Sequence, residues 1–355
     1  MASKMKAAVY YGPRDIQVDI IDIPEIGDRD ILLKVSACGI CGSDVHSYGT
    51  GLYIKKGQIM GHEFSGEVVK VGNKVQNIEV GERGTGFYSG VCGTCFWCKS
   101  KQYTLCPDLF KASTGYGLPG AFAEYVKISN AKVGMNYFQV PDEIDDITSA
   151  TIEPVSVAVY TADQCKPKKE DQVVILGAGL IGNAVMQVMK SIPVHQVVVT
   201  EVSALRLEYA KKAGADVVIN ALEEDVLERM KEVVGVGPYH FNEGAMADIV
   251  VDAAGAPSAV EQSFEIVRSG GVIAFVGLPE KKASIDTTKI VHKAPKIIGC
   301  LGGDIKKAIQ LLKEKKVQTK SLVTHTFPIE HAKEAFDTQM NAKDAVKVMI
   351  DYRTT

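Results

Sequence analysis

Four cysteines stand close together at Cys92, Cys95, Cys98 and Cys106, separated by 3, 3 and 8 positions. Four soft thiolates at such spacing can close a tetrahedron around zinc and leave no coordination position open. A closed centre of that kind braces a loop and performs no reaction. The same residues are compatible with an iron–sulfur cluster, a redox pair or buried thiols, and spacing alone leaves these open. Phe96 and Trp97, between the cysteines, read as packing or loop-surface residues.

A second set is more scattered. Cys41 opens the run C-G-S-D-V-H, His62 and Glu63 lie in G-H-E-F-S-G, and Glu153 lies in I-E-P-V-S-V. A thiolate, an imidazole and a carboxylate can hold zinc while keeping a position for water or a substrate oxygen. Each residue also has an ordinary reading, as a buried thiol, a turn histidine, a salt-bridge acid or a helix cap. Their separation in sequence does not show that they converge.

The third group is a glycine pattern. Gly177, Gly179 and Gly182 form G-A-G-L-I-G with Ala178, Leu180 and Ile181, immediately after the apolar run VVIL and ahead of a helical stretch. The first glycine allows a tight turn, the second lets a diphosphate approach the backbone, and the third lets helix and strand pack closely. The helix N-terminus then favours the negative charge. Glu201 ends the next apolar strand, 19 residues beyond Gly182, where a carboxylate can accept hydrogen bonds from an adenosine ribose and repel a 2′-phosphate. This favours NAD over NADP. Arg206 either packs beside the adenine or decorates its helix. The ordinary alternative is a glycine turn in an unrelated α/β sheet.

The elements that must position these groups are of two kinds. Up to about residue 150, KAAVYY, IQVDII, DILLKVSACG, FSGEVVKVG and GAFAEYVKI read as strands punctuated by glycine and proline. From 142 to 165 the apolar spacing becomes helical, with Pro154 starting or kinking a turn. From Asp171 onward QVVILGAG, QVVVTE, DVVIN, ADIVVDAAG, GGVIAFVG and KAPKIIGC alternate with helical segments, which predicts a parallel sheet covered on both faces. The tail holds the helix IKKAIQLLKEKK, the strand LVTHTFPI, another helix and KVMIDY, and its strands read as a return to the first domain.

A chain of 355 residues has room for roughly two domains. Its 40 Lys plus Arg against 43 Asp plus Glu exclude a strongly basic nucleic-acid protein by composition. No apolar run reaches the roughly 18 to 20 residues that span a bilayer, and the first residues lack a signal-peptide core. The eight cysteines are not spread like a disulfide framework. Together these features give the expectation of a cytoplasmic protein with no membrane or nucleic-acid partner.

Taken together, the Cys41–His46 segment, Gly61-His62-Glu63, the four-cysteine lobe, Gly177–Gly182 and the turn Ser269-Gly270-Gly271 resemble the zinc-containing medium-chain dehydrogenase/reductase family. Sorbitol (polyol), butanediol and threonine dehydrogenases are the members most similar, over nearly the whole chain. The resemblance implies an α/β fold: a GroES-like, mostly β catalytic domain over 1–155 with a zinc lobe at about 90–110, an inserted Rossmann domain over 156–295 with a doubly wound parallel sheet, and the sheet edge and return to the catalytic domain over 296–355. It implies Cys41 and His62 as catalytic-zinc ligands, with Glu63 and Glu153 in the carboxylate positions. Asp44 then orients the ligand histidine, Ser43 hands on the substrate proton and His46 carries it toward solvent. Cys92, Cys95, Cys98 and Cys106 become the structural zinc site, giving two zinc ions per chain. Gly177, Gly179, Leu180, Ile181, Gly182, Glu201 and Arg206 become the NAD site. The implied reaction is reversible oxidation of a secondary alcohol to a ketone, with threonine-type amino-alcohol oxidation, a zinc-independent reductase or a nucleotide-binding protein as alternatives. The implied assembly is a homotetramer, with a dimer as the other form. Sorbitol-type members place an aromatic directly after the position of His46, where this chain has Ser47, then Tyr48 and, further on, Tyr53.

Overall fold

The long apolar run of Ile31–Gly39, ILLKVSACG, is buried at all but two of its positions and forms the hub of a mixed sheet. In this computed structural model, which describes residues 3–86, 91–279 and 281–354, the chain divides into two compact units. Gly90, at the start of the expected zinc lobe, lies outside the described residues. The first unit comprises Met1–Glu153, Ala308–Lys313 and Leu322–Thr355, and the second Pro154–Lys307 and Glu314–Ser321.

In the first unit, Ile31–Gly39 pairs antiparallel with Glu63–Val71 along one edge. Its other edge is shared by Tyr125–Ile128, beside its first residues, and Lys347–Asp351, beside its last. Val323–Phe327 adds to Lys347–Asp351 in parallel, so the C-terminal tail completes the sheet that the N-terminal segment began. Leu33, Val35, Phe64, Val68, Phe122, Phe336 and Ile350 lie in one buried core. Side chains that alternate along each strand reach that core from one face of the sheet. The stretch 142–165 resolves into two helices, Asp146–Ser149 and Ile152–Cys165, with Pro154 in the first turn of the second. There its missing N–H would have had no helical partner anyway.

The second unit is built on a six-stranded parallel sheet ordered Val217–Asn220, Gln196–Glu201, Gln172–Leu176, Ala247–Asp252, Val267–Phe275, Lys296–Gly299. All the strands expected there are present, and the order reverses between Gln172–Leu176 and Ala247–Asp252. That reversal is the switch point of a Rossmann double winding, at which ligands bind beyond the carboxyl ends of the strands. A hairpin, Val236–Tyr239 with Asn242–Ala245, and a short helix, Thr287–Lys293, are additions that the apolar pattern did not announce. Among the described residues no helix is long and apolar enough to cross a membrane.

Candidate functional site

Three strand ends meet in the first unit. Cys41 follows Ile31–Gly39, His62 and Glu63 stand at the start of Glu63–Val71, and Lys347 begins Lys347–Asp351. The register places Gly39 opposite Glu63 and also opposite Met349. A Cβ at position 39 would lie 2.4 Å from Glu63 Oε2, so a larger residue there would push that carboxylate from its place. Cys41, His62 and Glu63 thus converge, with a ligand atom from each lying within 4.8 Å of the others.

The helix Gly42–Thr50 starts directly after Cys41. Asp44 Oδ2 accepts the Cys41 backbone N–H at 3.0 Å, which caps that helix, while its Oδ1 lies 3.6 Å from His62 Nδ1. One buried acid therefore fixes the residue bearing the thiol and faces the imidazole. Burial works to lower the His62 pKa, but the charges of Asp44 and Cys41 carry it well above its ordinary value. Burial pushes the Glu153 carboxyl up to about 7, against the pull of the nearby His62. Asp44 is raised too, first by burial.

Lys347 was not singled out in the sequence. Its ammonium, 5% exposed, donates to Glu63 Oε2 at 2.5 Å and to the Ile40 carbonyl at 2.9 Å. The neighbourhood still carries more acid than base, since Asp44, Glu63, Glu153 and the Cys41 thiol all act on Lys347 or His62. Sulfur, nitrogen and oxygen donors in such an acidic, buried cluster fit a divalent, borderline-soft cation such as zinc. Bound metal would take the place of the proton on His62.

Ser43 and His46 lie on the helix that Asp44 caps. The Ser43 hydroxyl is 2.9 Å from the Tyr116 hydroxyl, and the His46 ring lies 6.4 Å from that of Tyr53. Tyr116 comes from a glycine-rich loop with no periodicity to flag it. Tyr48 is fully buried and turned away, donating to Asp337 at 2.9 Å and to the Arg14 carbonyl at 3.1 Å.

The four cysteines of the lobe also converge, all sulfurs within 4.8 Å of one another. Cys92 Sγ and Cys98 Sγ are 3.8 Å apart, far beyond a disulfide and equal to the edge of a tetrahedron with metal–sulfur bonds of about 2.3 Å. Backbone N–H groups of Cys92, Cys95 and Cys98 point at the sulfurs of Cys106, Cys92 and Cys95 at 3.3 to 3.4 Å. The Thr94 and Cys95 backbone donors hold the Cys92 thiol down to about 6, while burial pushes the thiol of its neighbour Cys98 up to about 12.

In the second unit, Gly177 takes a left-handed φ of +96°, and a Cβ there would meet Ala254 at 2.9 Å. A Cβ on Gly182 would lie 1.9 Å from the Gly177 carbonyl oxygen, whereas at Gly179 none of the described residues stands within 4 Å. The loop is closed against its own sheet and open at the one glycine where a diphosphate would approach, so the residues fit a dinucleotide. Leu180 and Ile181 open the helix Leu180–Lys190. Glu201 is nearly fully buried. Its Oε2 accepts the Ala178 N–H at 2.9 Å and its Oε1 accepts those of Val202 and Ser203 at 2.8 and 3.1 Å. Arg206 Nη1 lies 3.9 Å from Oε2. Glu201 therefore ties the second strand to the glycine loop, a contact its position in sequence did not announce.

Residues 27–141 match the alcohol dehydrogenase GroES-like domain, and residues 181–314 match the zinc-binding dehydrogenase domain. Sorbitol dehydrogenase of Bacillus subtilis (strain 168) is 34% identical to this chain, covering 98% of it and 97% of the relative. The chain belongs to the zinc-binding medium-chain dehydrogenase/reductase family. L-threonine 3-dehydrogenase of Chromobacterium violaceum is 31% identical over 99% of both chains. The crystal structure of 2R,3R-butanediol dehydrogenase from Bacillus subtilis superposes with a TM-score of 0.85 at 28% identity, covering 98% of this chain and 99% of the other. The family relationship makes this chain a zinc-dependent, NAD-linked dehydrogenase.

Breaking the Glu63–Lys347 pair strands a buried carboxylate. Lys347→Met is expected to cost about 3–5 kcal/mol, read from the shift in the urea midpoint, and Lys347→Arg to cost less. A Lys347→Met loss below about 1 kcal/mol would put the pair in the class of weak surface contacts.

Proposed function

We propose that this dehydrogenase oxidises a secondary alcohol carrying further hydroxyl groups, a polyol or vicinal diol, reversibly to the ketone. The observation that carries the reading is the convergence of Cys41, His62 and Glu63 within 4.8 Å, on a chain that also has a Rossmann unit. Residues 1–155 and the part of 296–355 that returns to the first unit serve the metal and substrate, and 156–295, with the sheet-edge strand Lys296–Gly299, serve NAD. When bound, zinc polarises the alcohol oxygen and NAD accepts the hydride, so the alcohol yields ketone, NADH and a proton.

Cys41 and His62 would hold the catalytic zinc, and Glu63 and Glu153 would offer carboxylate oxygens to it. Asp44, facing the imidazole, would raise its basicity as a ligand. The Ser43 hydroxyl takes the substrate proton, and His46, on the same helix, passes it toward solvent. Cys92, Cys95, Cys98 and Cys106 hold a second zinc with no open position. Gly177, Gly179, Leu180, Ile181 and Gly182 cradle the diphosphate, and Glu201 with Arg206 meets the adenosine end.

The test is elemental analysis joined to a substrate panel. Purified enzyme is expected to carry two zinc ions per chain and to reduce NAD with at least one secondary alcohol among vicinal diols, polyols, threonine and simple alcohols. A fully active preparation with a single zinc sinks the two-site assignment. Activity confined to primary alcohols sinks the substrate class, and oxidation of threonine alone moves the enzyme to the amino-alcohol reading.

Glu201 sets the cofactor preference through charge. Three backbone N–H groups already occupy most of its acceptor positions, which leaves few for ribose. Replacement by Ala would loosen the glycine loop for either cofactor, so Glu201→Gln is the cleaner probe. It keeps one acceptor oxygen, sets an amide NH2 against the backbone N–H that the other oxygen accepted, and removes the repulsion of a 2′-phosphate, so the ratio between the two cofactors is the readout and not either rate alone. The ratio of kcat/KM for NAD to that for NADP is expected to exceed one in the parent and to fall by about tenfold in the variant. An unchanged ratio would leave Glu201 a structural acid only.

A further inference from the structure

The Ser43 hydroxyl does not stand alone. Tyr116 brings a second hydroxyl to 2.9 Å from it, the separation of a hydrogen-bonded pair. The Tyr116 ring lies 4.9 Å from the ring of His62 and 5.1 Å from that of Phe110, so the phenol flanks the proposed metal ligand on one side. Its loop is pinned to the segment that leads into His62. Gly120 N donates to Ile59 O, Ala121 N to Gly61 O and Phe122 N to Met60 O at 2.8 to 3.0 Å, and the Gln58 amide donates to the Tyr116 carbonyl. Gly115 permits this approach: it has a φ of +81°, and a Cβ there would sit 2.7 Å from the Gly61 carbonyl oxygen. Tyr116 and His62 are thus held on one backbone frame. The aromatics that follow His46 do not supply this group, since Tyr48 is turned to Asp337 and Tyr53 is 83% exposed.

Two hydroxyls bonded to each other use one donor between them. The other donor and the remaining lone pairs stay available to a ligand, whichever oxygen donates in the pair. A gauche vicinal diol likewise presents two adjacent oxygens, each a donor and an acceptor. We propose that Tyr116 is a specificity-determining residue that binds the hydroxyl next to the reacting one, while Ser43 serves the reacting oxygen. This rests on the alcohol-oxidising reading above and deepens it. A site built to pair a second hydroxyl discriminates strongly against a substrate lacking it, because a polar group in the site is then left unmatched.

Matched substrates separate this role from a structural one. The parent enzyme and Tyr116→Phe are compared by initial rates with 2,3-butanediol and 2-butanol, which differ only in the neighbouring hydroxyl, and zinc is measured in both proteins. The parent is expected to favour the diol, and Tyr116→Phe to lower the diol-to-alcohol ratio of kcat/KM by about tenfold. Ser43→Ala, which keeps Tyr116, is expected to slow both substrates by similar factors and leave the ratio near its parent value. A fall shared equally by both substrates in Tyr116→Phe, with or without lost zinc, overturns the assignment, as does an unchanged ratio. A parent that oxidises 2-butanol as well as the diol, or neither of them, overturns the diol role. The wider reading falls only if no secondary alcohol in the full panel is oxidised.

Discussion

The buried pair between Glu63 and Lys347 is the constraint on which the site depends. An ammonium and a carboxylate taken out of water cost several kcal/mol each, and only close, well-partnered geometry offsets that cost. Here the geometry comes from the sheet. Glu63, Lys347 and the Ile40 carbonyl are brought together because Glu63–Val71 and Lys347–Asp351 both register against the end of Ile31–Gly39. The ion pair therefore forms only when the C-terminal tail has joined the N-terminal strands, across 284 positions of sequence. It also pre-sets the charge of the proposed metal site, because a carboxylate already partnered by Lys347 would be a weaker ligand than a free one. Cys41 and His62 would then be the firmer donors.

Asp44 shows the same economy on a smaller scale. It caps a helix with one carboxylate oxygen and faces the His62 imidazole at 3.6 Å with the other. A helix of nine residues is marginal alone, so its start needs a fixed partner. The partner is the backbone of Cys41 itself. Starting the helix and presenting the thiol are one event, which is why Ser43 and His46 come into position without any further support from sequence. Loss of the Asp44 carboxylate would thus disturb the thiol, the imidazole and the hydroxyl together.

What could be read from the sequence was whatever local chemistry dictates. VVIL before G-A-G-L-I-G fixed a strand, a turn and a helix, because burial on both faces and the demand for glycine act within a dozen residues. The cysteine lobe was legible for the same reason. The convergence of Cys41 with His62 was legible only through family resemblance, since strand register is a long-range property. Lys347 was missed, although a lysine set between Val346 and Val348 in an otherwise apolar run is itself a sign of a buried counter-charge. Tyr116 had no such sign. Its placement follows from backbone pairing of residues 120–122 with 59–61, and from glycines whose crowding appears only once the two segments meet.

The two sulfur sites show how the same ligand type is put to different ends. In the lobe the sulfurs of Cys92, Cys95 and Cys106 accept neighbouring backbone N–H groups, all four sulfurs lie within 4.8 Å of one another, and among the described residues the cluster contains thiols alone. Such a site gains from being closed, because each additional thiolate ties another point of a short loop to one centre. Around Cys41 the donors are mixed, one carboxylate is committed to Lys347, and a hydroxyl pair stands beside the imidazole. A coordination position left unfilled by protein is of no structural use. It is useful only to a ligand that arrives with its own oxygen, and the Ser43–Tyr116 pair is what gives that oxygen, and the one beside it, a defined place.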